Sequence, residues 1–185
     1  SKCGQFTPEQ LVDTFLSQDY TGIFSTNHFF CGNTAAPGPE KEWKYRLEKF
    51  CDAYRAVKDE GDKKGLDVFF GFEYTVPHTV DPIANNAGCD FLVFGVDEKW
   101  LENYGDVETC PTRQYLNRIR EAGGTVIQAH PYRLEERYMD HICLMPDCVD
   151  GVEVINTSPN TIESNTLARV YADYFGFFHT AGSDI

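Results

Sequence analysis

The sequence predicts an α/β fold built on a parallel sheet, open or closed into a barrel. Short apolar runs alternate with longer amphipathic segments along the whole chain. The runs are spaced for crossover connections, which implies parallel pairing. Several of them end in a histidine or a carboxylate, and strand carboxyl ends are where α/β enzymes carry their chemistry.

The elements follow in order. Thr7 is an N-cap, with Pro8 at N1 and Gln10 at N3, and Leu11, Val12, Phe15 and Leu16 recur at helical spacing behind it. Residues 22–26 read as a short strand leading to Asn27 and His28. Residues 31–40, rich in Gly, Asn, Pro and Ala, form a loop long enough to cover a site. Residues 43–64 carry a helical pattern through Leu47, Phe50, Tyr54 and Val57, closed by Gly65. The strand 66–73 ends at Glu73, and 74–88 is an irregular loop carrying His78. A further apolar strand, 90–97, ends at Asp97.

Residues 112–121 form a helix with Tyr115, Leu116 and Ile119 on one face. Gly123 and Gly124 end that helix, and 125–129 reads as a buried strand. His130 falls where this strand leaves the sheet, and Pro131 stops the ladder. Residues 138–148 read as a turn of helix and a loop. The strand 149–156 ends at Asn156, a helix covers 164–175, and 177–184 is a last strand with a terminal turn at Asp184. No linker divides the chain, so 1–185 reads as a single domain.

With 42% hydrophobic and 14% aromatic residues in 185, the chain has the material for a sizeable core. No apolar run is long enough for a bilayer, so no membrane partner is expected. A net charge of −13 argues against a nucleic-acid surface. It remains compatible with a small phosphorylated substrate, because bound cations reverse the local sign. The seven cysteines are scattered without a C-x-x-C pair, which reads as reduced thiols in a cytoplasm.

His28, Glu73, Asp97, His130, Asn156 and Asp184 each end a different predicted strand. In a parallel barrel these ends meet around one cavity. Imidazole nitrogen and carboxylate oxygen together suit zinc, manganese or iron. Glu73, as a bridging carboxylate, would let two cations share an activated water. Either histidine alone is more often structural; two at equivalent strand ends, with carboxylates at three others, read as a site. Asp97 has a plainer reading as an ordinary helix N-terminus, since Glu98 and Lys99 follow it. Glu153 alternates with Val152 and Val154 and reads as lying outside the site. His78, His141 and His179 have no partner pattern and read as structural. Arg133 either forks onto a phosphate or pairs on the surface with Glu135 or Glu136.

Taken together, the segments GIFSTNHFF (22–30), DVFFGFEY (67–74), DFLVFGVD (90–97), GGTVIQAHPYR (123–133), DGVEVIN (150–156) and TAGSD (180–184) resemble the PHP family, the polymerase and histidinol phosphatase domain. They come in that family's order and cover nearly the whole chain. The resemblance implies a distorted seven-stranded β/α barrel holding two or three divalent ions (Zn, Mn or Fe) at the strand ends. It also implies His28, Glu73, His130 and Asp184 as metal ligands, and Asn156 as a residue lining the site. Asp97 stands where related sequences often have histidine, and Asn27 replaces the usual aspartate. The family's opening H-x-H motif and the last histidine of G-S-D-x-H are absent, so the expectation is a fragment, incomplete at both ends.

The function this implies is a metal-dependent phosphoesterase. A small phosphomonoester such as histidinol phosphate would be hydrolysed by activated hydroxide at His130 and Glu73, with Arg133 and Asn156 binding the substrate. The alternative is a catalytically silent PHP domain acting as a metal-stabilised structural or regulatory module. A third reading is hydrolysis of C–N bonds on a related barrel. The oligomeric state is not written in the sequence.

Overall fold

The computed structural model describes residues 4–77, 89–133, 142, 144–158 and 162–184. Its strands are β1 (Gly22–His28), β2 (Asp67–Thr75), β3 (Asp90–Phe94), β4 (Thr125–Gln128), β5 (Gly151–Asn156) and β6 (Phe178–Gly182). The helices are α1 (Pro8–Leu16), α2 (Trp43–Lys64), α3 (Glu98–Glu102), α4 (Thr112–Glu121) and α5 (Ile162–Phe175). The six strands form one sheet in sequence order, curled into a half-barrel. The mixed α/β class is as predicted, but the count of seven strands is not reached among the described residues.

Local chemistry accounts for the helix ends. Thr7 Oγ1 accepts from the Gln10 amide at 3.2 Å while Gln10 Oε1 accepts from the Thr7 amide at 2.9 Å, the reciprocal cap read from the sequence. At the end of α4, Gly123 takes φ of 85°, which side chains disfavour. The adjacent Gly124 packs so closely that a Cβ would lie 2.7 Å from Ile119 Cγ2 and 3.1 Å from the Phe94 carbonyl oxygen. The glycine pair thus brings α4 back onto the sheet directly before β4.

The sheet is not all parallel. β1 pairs parallel with β2, and β4–β5–β6 pair parallel, but β3 runs antiparallel to both its neighbours. Alternation along each strand then sorts the side chains. Val68, Phe72, Tyr74, Phe91, Val93, Val126, Val152 and Val154 belong to the buried clusters packed with the helices. The opposite, concave face carries His28, Glu73, Thr75, Asp90 and Glu153, as the registers fix. Farther down that face Phe24, Phe69 and Phe94 pack with centroids 5.2 and 4.5 Å apart.

The largest core cluster is pinned at its rim by Arg46, which is only 5% exposed. Its guanidinium makes two 2.8 Å bonds to Glu108, donates at 3.0 Å to the Pro37 carbonyl and lies 4.4 Å from the Phe30 ring centroid. Arg46→Ala should cost about 2–3 kcal/mol, since it removes charged hydrogen bonds to a half-buried Glu108 and the contact with the Phe30 ring. In a chain of this size that is a fall in Tm of about 4–10 °C by calorimetry. A change under 1 °C would reject this account of the rim.

Candidate metal centre

The reversal of β3 decides which residues meet. Parallel pairing of β1 and β2 sets His28 opposite Glu73. Antiparallel pairing of β2 and β3 sets Thr75 opposite Asp90, the first residue of β3. The Ala129 amide donates to the Asp90 carbonyl at 3.1 Å, which carries β4 and the following His130 alongside. One end of the sheet therefore gathers His28, Glu73, Asp90 and His130.

Asp97 is at the other end. The prediction placed it in the site on the premise of a parallel strand, but β3 runs the other way, so its carboxyl end points away from His28. There Asp97 caps α3, accepting from the Trp100 amide at 2.8 Å, the plainer of its two sequence readings.

The geometry at the convergent end is tight. His28 Nδ1 lies 3.0 Å from Glu73 Oε2, while His130 Nε2 lies 3.5 Å from Glu73 Oε1 and 3.8 Å from Asp90 Oδ2. Thr75 Oγ1 donates to Asp90 Oδ1 at 2.6 Å and fixes that carboxylate. One ligand atom each from His28, Glu73 and Asp90 fall within 4.8 Å of one another. The Nδ1 atoms of both His28 and His130 are buried without a hydrogen-bond partner. His28 Nδ1 lies at ion-pair distance from Glu73 Oε2, 3.0 Å, without making a hydrogen bond to it. Buried polar atoms left in this way are rare unless an ion or water completes them. The donor set, imidazole nitrogen with carboxylate oxygen, fits a divalent cation of the first transition row.

The electrostatics agree with that fit. Burial opposes charging of His130, but Glu73 and Asp90 outweigh it and hold the imidazole pKa up at about 9. Burial, then the neighbouring Glu73, pushes the Asp90 carboxyl above its ordinary range. Too many negative charges share too little solvent, and a cation relieves that.

A second cluster adjoins the first. Asp184 pairs with Arg133 and accepts from Asn156 Nδ2 at 3.2 Å and Ser158 Oγ at 2.9 Å. Burial raises the Asp184 pKa, yet Arg133 and His130 hold it below the ordinary carboxylate value. Arg133 is thus committed to Asp184; Glu135 and Glu136 lie outside the described residues. His78 and His141 also lie outside them, and His179 pairs at the surface with Asp173 at 3.0 Å.

Glu153 corrects the sequence reading. It does face opposite Val152 and Val154, as predicted, but the valines pack against α5, so the opposite face is the concave one. Its carboxylate accepts from the His130 amide at 2.9 Å and from Asn156 Nδ2 at 3.1 Å. Asp90 was missed as well. Its signal was the absence of a helical pattern in 74–88, which left no crossover helix for a parallel β3.

No known family profile matches the sequence, and no curated protein is similar to it. Solved structures do match. One from Bifidobacterium adolescentis, provisionally described as a metal-dependent phosphoesterase, has a TM-score of 0.62 at 14% identity over 98% of this chain and 82% of its own. A two-domain protein from Bacteroides vulgatus, containing a predicted PHP-like metal-dependent phosphoesterase, has a TM-score of 0.63 at 18% identity. The match covers 98% of this chain but only 48% of that protein. An amidohydrolase from Chromobacterium violaceum, with bound sulfate and no metal, has a TM-score of 0.61 at 13% identity, covering 98% and 83%. Among the described residues no helix is long and apolar enough to cross a membrane. Identities this low speak for the fold, and the chain has the fold of the PHP-like proteins.

Proposed function

We propose that the chain is a metal-dependent phosphoesterase acting on a small phosphomonoester. The observation that carries this reading is the convergence of His28, Glu73 and Asp90, whose ligand atoms lie within 4.8 Å of one another, with the buried Nδ1 of His28 unpartnered and His130 Nε2 facing both carboxylates. His28, Glu73, Asp90 and His130 would hold the cation, with Asp184 beside them. When bound, divalent ions polarise the phosphoryl oxygens and lower the pKa of an attacking water.

The protein's own residues do the rest. Glu73 reaches both histidines, one through each oxygen, and so fixes their spacing. Thr75 turns Asp90 toward His130. Arg133, released from Asp184, has the forked donor geometry for a phosphate, and Asn156 stands beside it. The substrate this reading favours is a phosphomonoester of the kind of histidinol phosphate, and the ion is zinc, manganese or iron.

The test is phosphate release from p-nitrophenyl phosphate and histidinol phosphate with added manganese or zinc. Turnover in the wild type that is lost in His130→Ala supports the reading. A metal-dependent rise in Tm without turnover would instead select the silent module. Amide hydrolysis without phosphate release would select C–N chemistry.

A further inference from the structure

Glu153 is only 3% exposed, and one of its oxygens, Oε2, holds two elements of the site at once. It accepts from the backbone amide of His130 and from the side-chain amide of Asn156. His130 needs such a hold. Its φ of 24° lies in a region that non-glycine residues rarely adopt, directly after β4 ends. A side chain on a strained turn keeps one orientation only if the surroundings fix the backbone beneath it. The other bond reaches Asn156, whose amide also contacts Asp184, so Glu153 joins the His130 cluster to the Asp184–Arg133 cluster.

The neighbouring strand is shaped around this carboxylate. A Cβ on Gly182 would lie 2.0 Å from Glu153 Oε1, so any larger residue there would push that oxygen aside. The β5–β6 register shifts between Glu153 and Ile155, which places this pair at an irregularity of the ladder. A buried carboxylate that makes no ion pair among the described residues and serves as a double acceptor is expensive to keep unless its geometry matters.

We propose that Glu153 is the positioning residue of this centre: it fixes the His130 turn so that the imidazole faces Glu73 and Asp90. The inference rests on the metal-dependent reading above for its consequence in turnover, but not for the placement of the ring. Glu153→Gln can keep both bonds, with its amide oxygen in the place of Oε2. Glu153→Ala removes both and leaves two donors unsatisfied.

The experiment measures zinc affinity by chelator competition, Tm, and the NMR signals of the His130 ring in the metal-free protein. Glu153→Ala should weaken zinc binding about 10–100-fold and shift the His130 ring signals. Glu153→Gln should stay within about threefold of wild type in affinity, with ring signals in place. If Glu153→Ala does not fold, Gly182→Ala displaces the same carboxylate from the other strand and should reproduce the loss. Equal zinc affinity and unmoved ring signals in folded Glu153→Ala or Gly182→Ala, with only Tm lowered, would overturn the proposal. The ring signals need no metal. A wild type that binds no zinc would therefore count against the phosphoesterase reading, while the ring signals still decide the role of Glu153.

Discussion

Glu73→Gln is expected to lower metal affinity by at least about 100-fold and to abolish turnover. Loss of a residue that merely orients a ligand costs about 10–100-fold, and Glu73 stands in contact with both histidines. The substitution keeps the shape of the side chain but removes its charge and turns one oxygen into a donor. An N–H then points at His28 or at His130, where a cation needs a lone pair. Folding should survive. Glu73 is 7% exposed, and its charge both carries a desolvation cost and partners the buried His130 imidazolium, which Asp90 still faces in the variant. The metal-free variant should therefore melt somewhat below metal-free wild type but still cooperatively. Metal equivalents by elemental analysis, beside calorimetry of both apo proteins, give the answer. A variant that retains stoichiometric metal would remove Glu73 from the centre.

The legible parts of the sequence were those set by local chemistry. The cap at Thr7, the glycine stop after α4 and the strand leading to His130 each follow from residues adjacent in the chain. His28, Glu73 and His130 were readable because each lies at or within two residues of the end of a strand that runs in the expected direction. Strand direction itself is not local. Asp90 and Asp97 are both aspartates bounding one apolar run, and only the pairing of β3 with β2 and β4 chooses between them. Period-two alternation gave the facing of Glu153 correctly but not which face is concave, because that depends on where α5 packs. Arg133 shows a similar limit: its partner Asp184 is 51 residues away and enters only through β6.

Metal uptake should be strongly dependent on pH, with a sign set by the protons already in the centre. Burial works against a charged His130, yet Glu73 and Asp90 together hold its pKa at about 9, so the metal-free protein carries an imidazolium there at neutral pH. A cation binds the neutral ring and must displace that proton. Each unit of rising pH should strengthen binding about tenfold, from neutrality until the curve flattens near pH 9. Below neutrality the slope should steepen, because burial and Glu73 push the Asp90 carboxyl upward and its proton competes as well. Between pH 6 and 8 the affinity should thus change by about 100-fold or more. Isothermal titration of zinc in buffers of different ionisation enthalpy counts the released protons directly. His130→Asn removes the titrating ring and should flatten the slope near neutrality while leaving weaker residual binding through His28, Glu73 and Asp90. An affinity that stays constant from pH 6 to 9, with no proton released, would mean that the cation binds elsewhere.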